Sequence, residues 1–165
     1  MTPGFSIGPI DDLDAVLALN AANVAETSPL DEPALRALLD QSFLATAVIG
    51  QDGLAAFLIA LDQDATYASP NFGWFRARYP RFVYVDRIVT APAQRGRGIA
   101  RALYESLFAR AAAAGHGRVA CEVNRVPPNP GSDAFHAALG FDEVGTAEIH
   151  GGLKTVRYLL RGAAR

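Results

Sequence analysis

The chemistry in this chain is densest at Arg95-Gly96-Arg97-Gly98-Ile99-Ala100, where an apolar run gives way to a helical pattern. Backbone N–H groups at a helix start lack partners within the helix, and the macrodipole adds positive potential there, so such a turn binds anions. Gly96 and Gly98 would let the backbone approach a phosphate without a Cβ in the way. Arg95, Arg97 and Arg101 add positive charge. The bland alternative is a glycine-rich turn with solvated arginines. Two carboxylates also stand in otherwise apolar runs: Asp86 in Val85-Asp86-Arg87-Ile88 and Glu122 in Ala120-Cys121-Glu122-Val123. Burial would raise their pKa and suit them to base work. Pairing with an arginine such as Arg87 or Arg125 would depress it and make them structural.

Two nucleotide motifs compete for the turn. A P-loop needs Gly-x-x-x-x-Gly-Lys-Ser/Thr, which the chain lacks. A dinucleotide fingerprint needs Gly-x-Gly-x-x-Gly/Ala and an acid about twenty residues on. Gly96-x-Gly98 and Glu122 fit, but Arg101 occupies the third position, where its bulk would obstruct close helix–strand packing. No second βαβ half follows.

These residues need elements to hold them. Phe5 to Ile10 reads as a short edge strand. Asp11 or Asp12 caps a helix through Leu13, Val16 and Leu17, and Asp31 caps a second, with Pro33 in its first turn. Phe43 to Ile49 and Leu54 to Leu61 form a hairpin around Gly50-Gln51-Asp52-Gly53. Asp62 to Arg81 reads as a long irregular stretch rich in aromatics. Phe82 to Thr90 is a strand, followed by a helix from about Gly98 to Ala114 that places Ile99, Leu103, Leu107 and Ala111 on one face. Gly115 ends it. Arg118 to Val123 is a strand, Ser132 to Leu139 a short helix, and Phe141 to Ile149 with Leu153 to Leu160 a final hairpin. The expected fold is α/β with order β-α-α-β-β-β-α-β-α-β-β: a mixed, mostly antiparallel sheet of about seven strands with helices on both faces.

The 165 residues fit a single domain, 1–165. A formal net charge of -2 argues against nucleic acid as the main partner. Cys121 is the only cysteine, so no intramolecular disulfide can form. It reads as a buried strand residue rather than a nucleophile. No signal peptide or bilayer-spanning run is visible, and no metal site is expected, so a soluble cytoplasmic protein is the default.

The motifs resemble those of the GNAT superfamily of N-acetyltransferases. Its pyrophosphate loop reads Arg/Gln-x-x-Gly-x-Gly/Ala, and Arg95 to Ala100 satisfies it. A second signature, an asparagine, an aromatic pair on a short helix and then Gly-Phe, is matched by Asn129, Phe135-His136 and Gly140-Phe141. The resemblance implies acetyl-CoA as donor, its pantetheine arm along Ile88, Val89 and Thr90, its pyrophosphate on Gly96 to Arg101, and Asn129 on the arm. It implies direct attack by a primary amine in a ternary complex, with a backbone N–H near Val89 polarising the carbonyl. Glu122 or Asp86 would be the general base. His136 stands where the family commonly has a tyrosine acid, and with an ordinary pKa of about 6.5 a histidine can give a proton to the thiolate. A small-molecule or peptide acceptor would be lined by Asn23, Glu26, Ser28, Phe72, Trp74, Phe75 and Tyr79. Those aromatics could equally pack the loop onto the sheet or bury the face of a homodimer. A non-catalytic acyl-CoA sensor or scaffold, motivated by His136, is the alternative.

Overall fold

Side-chain caps decide where most helices begin. In the computed structural model, which describes residues 5–24, 27–126 and 128–163, Asp12 accepts from the Ala15 N–H at 3.0 Å and starts α1 (Leu13–Ala22). Asp31 accepts from Ala34 N–H at 2.9 Å and starts α2 (Glu32–Asp40), with Pro33 in the first turn, where its missing N–H costs nothing. Ser69 and Asn129 cap α3 (Pro70–Arg76) and α5 (Pro130–Ala138) in the same way, each followed by proline. Each cap contributes roughly 1 kcal/mol. The longest helix, α4 (Ile99–Ala113), follows the glycine-rich turn.

The strands are β1 (Ser6–Pro9), β2 (Leu44–Gly50), β3 (Gly53–Asp62), β4 (Val83–Thr90), β5 (Arg118–Val126), β6 (Asp142–Ile149) and β7 (Lys154–Gly162). They form one seven-stranded sheet in the order β1-β2-β3-β4-β5-β7-β6. It is mostly antiparallel; β4 and β5 pair in parallel at Val83 with Val119 and Tyr84 with Ala120. In β3, every residue from Ala55 to Leu61 is buried, so both faces of this strand are covered. β6 alternates between exposed and half-buried residues, as an edge strand does.

The chain divides into two compact units that interleave in sequence. The first comprises the described residues up to Leu61 and Val85–Leu107. The second comprises Asp62–Tyr84 and the described residues from Phe108 on. The element order matches expectation except in one place. The stretch expected to be irregular, Asp62 to Arg81, contains α3, signalled by Ser69-Pro70 and by Phe72 and Phe75 three residues apart, both fully buried.

Helices α4 and α5 stop by one device. Gly115 (φ 81°) and Gly140 (φ 94°) take the left-handed conformation, and the next residues bond back across the last turn: His116 N–H to Ala111 O at 2.9 Å and Phe141 N–H to His136 O at 3.1 Å. The Gly-Phe signature is thus a helix stop whose Phe141 is buried against Phe108.

Candidate active site

In the first unit, β4 hands over to α4 through a 3-10 turn, Pro92–Gln94, anchored where Ala91 N–H donates to Ala55 O at 2.8 Å. Gly96 and Gly98 then adopt φ 80° and 78°. A Cβ built on either would meet no atom within 4 Å, so within this chain glycine is needed for backbone conformation rather than for space. The open side is where an anion would lie. The helix begins with Ala102 N–H on Gly98 O at 3.0 Å, and the N–H groups of the turn before it have no acceptor within the helix. All three arginines here are exposed. Arg95 donates to Asn23 Oδ1 at 3.1 Å, Arg97 to Gln94 Oε1 at 2.6 Å, and Arg101 faces Glu105 at 3.6 Å. Because Arg101 points to solvent, its bulk does not obstruct packing. The case against a dinucleotide site rests instead on the topology, which provides no second parallel half.

Beside the turn, Arg87 is buried at the centre of a clamp. Its Nε donates to Asp86 at 2.9 Å, Nη1 to Asn20 Oδ1 at 3.0 Å and to Ser28 O at 3.1 Å, and Nη2 to Ser28 Oγ at 3.1 Å. Both side chains of the ion pair are nearly inaccessible, at 3% and 4%. Asp86 is thus the ion-pair partner of Arg87, one of the two arginines that the sequence offered. Asn23, expected against the acceptor, holds Arg95 and donates to Leu19 O at 2.9 Å. Glu26 lies outside the described residues.

In the second unit, Glu122 is half-buried on β5 and held through both oxygens. Tyr84 donates its hydroxyl to Oε2 at 2.7 Å, and Asn71 donates Nδ2 to Oε1 at 3.2 Å. Asn71 Oδ1 in turn accepts from the Tyr158 hydroxyl at 2.9 Å. Tyr158 lies directly across from Glu122 in the β5–β7 register. Burial, then the Glu122 charge, raise its pKa, and Arg78 lowers it. Trp74 stacks on Tyr158 with centroids 4.3 Å apart, and Arg78 covers Trp74 at 4.0 Å. The Trp74 ring occupies the place a Cβ at Gly145 would need. Phe72 and Phe75, expected to line the acceptor, are fully buried and pack against Phe82 and Tyr84.

His136 stands in the last turn of α5. It is buried, between Phe135 and Phe141 ring edges, and its Nδ1 lies 2.8 Å from Ser132 O. The Ser132 hydroxyl lies 3.2 Å from the same nitrogen. Burial lowers its pKa, outweighing the bond to Ser132 and the Asp133 charge, which raise it. Asn129 Oδ1 caps α5 at Ser132 N–H, 3.2 Å away. Cys121 is buried on β5, as expected.

The sequence profile of the acetyltransferase (GNAT) family matches residues 18–141. The chain belongs to that family. An L-2,4-diaminobutyric acid acetyltransferase of Nocardia farcinica is 39% identical over 67 residues, 41% of this chain and 34% of that protein; the match thus spans about a third of the relative's length. Ard1 from Thermoplasma volcanium superposes with a TM-score of 0.77 at 12% identity, over 96% of this chain and 97% of that one. Arabidopsis thaliana NAA60 in complex with acetyl-CoA gives 0.75 at 14% identity, over 98% and 99%. At such identity these likenesses are of fold.

Within this GNAT chain, sequence reasoning missed Asn71, Tyr84 and Tyr158 around Glu122, and Asn20 and Ser28 as further partners of Arg87. Tyr84 and Tyr158 stand in strands that also read as apolar core, and nothing in linear spacing connects them to Glu122. The signal for Asn71 was the Ser69-Pro70 helix start, which places it in a first turn. Among the described residues no group of ligating side chains could hold a metal, and no helix is long and apolar enough to cross a membrane.

Proposed function

We propose that the chain transfers an acetyl group from acetyl-CoA to the primary amine of a small molecule, by direct attack in a ternary complex. The observation that carries this reading is the Arg95–Ala100 turn, with two left-handed glycines opening a space before α4 in a chain of the acetyltransferase family. The N–H groups of Gly96 to Arg101 and the three arginines would hold the pyrophosphate. Backbone groups of Ile88, Val89 and Thr90 would pair with the pantetheine arm, with Asn129 as a further contact. Acetyl-CoA supplies the activated acyl group and a thiolate leaving group.

Glu122 takes the proton from the acceptor amine, directly or through water. Asp86 is set aside because its carboxylate is engaged by Arg87. A backbone N–H near Val89 takes up charge developing on the carbonyl oxygen. No acid is required of His136. A thiolate is a far better leaving group than an alkoxide, so it can depart without a donor and take its proton from solvent afterwards.

The Nocardia relative supports a diamino acid at the head of the acceptor panel. The test is calorimetry with acetyl-CoA, then thiol detection with diaminobutyrate, aliphatic diamines and peptide N-termini. Expected are micromolar cofactor binding and turnover with at least one small amine. No binding at millimolar acetyl-CoA would overturn the reading. Binding without turnover on any amine would favour the acyl-CoA sensor.

A further inference from the structure

The Asn71 carboxamide stands between two groups that determine its orientation. Nδ2 donates to Glu122 Oε1 at 3.2 Å, and Oδ1 accepts from the Tyr158 hydroxyl at 2.9 Å. Turned over, the amide would put its oxygen against the carboxylate and leave its NH2 facing a phenol that has a proton to donate. The carboxylate opposes the flip, and Tyr158, donating to Oδ1, supports the same orientation. Its own ring is fixed by Trp74 stacked at 4.3 Å and by the edge of Phe75 at 5.3 Å. Tyr84 holds the other carboxylate oxygen at 2.7 Å. Among the groups that bear on the Glu122 charge are Tyr84 from β4, Asn71 from α3 and Tyr158 from β7.

We propose that Asn71, held in one orientation between Glu122 and Tyr158, is a positioning residue that fixes which lone pair Glu122 offers to the acceptor amine. The proposal rests on Glu122 being the base. A hydrogen bond to a carboxylate favours its charged form, so removing the Asn71 donor raises the proton affinity of Glu122.

The test uses the full chain with acetyl-CoA and the best amine of the panel, together with 13C NMR titration of the Glu122 carboxyl, assigned by its absence in Glu122→Gln. Asn71→Ala is expected to lower kcat about 10-fold, leave the KM for acetyl-CoA unchanged, and move the acid limb of the profile and the Glu122 titration upward by about one pH unit. Tyr158→Phe, which removes one of the two partners that hold the amide, should lower kcat about 3-fold with a shift of the same sign. It keeps the ring and the Trp74 stack, so it serves if Asn71→Ala does not fold. In a Glu122→Gln background, Asn71→Ala should cost nothing further. An unmoved titration in both variants, or the same loss with and without Glu122, would overturn the positioning role while leaving Glu122 as base. Wild-type kcat in Glu122→Gln, or no turnover with any amine, would overturn the base assignment and the positioning role with it.

Discussion

The glycine-rich turn of the first unit and the Glu122 network of the second meet chemical demands in opposite ways. The turn is contiguous, six residues long, and works through backbone: N–H groups, two positive φ angles and a helix start. The network gathers one side chain each from α3, β4, β5 and β7, and works through a carboxylate, a carboxamide and two phenols. A diphosphate can be held by a repeating backbone that many sequences supply. A base must be one group with fixed neighbours. The first kind of site tolerates change in its side chains but not in its glycines; the second is sensitive at each residue.

The largest effect should come from the network. Glu122→Gln keeps the shape and both donors but removes the base, and kcat is expected to fall about 10²–10⁴-fold with acetyl-CoA affinity unchanged by calorimetry. A matching loss of cofactor binding would show that the two regions do not divide the work. Next is Asp86→Ala, which strands a buried guanidinium and should cost about 3–5 kcal/mol by denaturant unfolding. A loss under 1 kcal/mol would mean that Asn20 and Ser28 suffice for Arg87. Gly98→Ala forces a β-carbon onto a left-handed residue, with about 1–3 kcal/mol of strain. Acetyl-CoA binding should weaken roughly 10-fold or more, while the Glu122 titration stays put. The smallest change is His136→Phe, for which kcat should hold within about 3-fold, no proton transfer having been removed. A 100-fold drop would restore the acid role.

The same variant has a pH signature. The folded-state pKa of His136 lies below its unfolded value of 6.5, so the unfolded chain binds the proton more readily. Stability contributed by the neutral ring is fully present above pH 6.5 and is lost as pH falls below it, until the folded pKa is reached. His136→Phe should therefore lose less Tm than the parent between pH 7 and 5. His116, also shifted down, remains in both proteins and cancels in the comparison.

What could be read from sequence follows the same division. The turn, its arginines and the helix after it are encoded by neighbours, and hydrophobic period with caps placed every strand. Helix α3 went unread because seven residues are too few for a period to stand out from aromatic clutter. The role of Arg87 depended on Asn20 and Ser28, 67 and 59 residues away. The network of Glu122 required knowing that Tyr158 lies across from it. His136 was singled out by its position in a resembling family, and its surroundings, a carbonyl four residues back and two ring edges, became visible only in the fold.

The interleaving of the two units bears on how the chain is made. Strand β3, apolar along nearly its whole length, leaves the ribosome before β4, its neighbour in the sheet. At about 5–20 residues per second, synthesis of the stretch from Asp62 to Phe82 leaves that strand with one bare edge for roughly 1–4 s. During that interval β3 presents an apolar strand with an unpaired edge, the kind of segment that pairs with other chains unless it is covered.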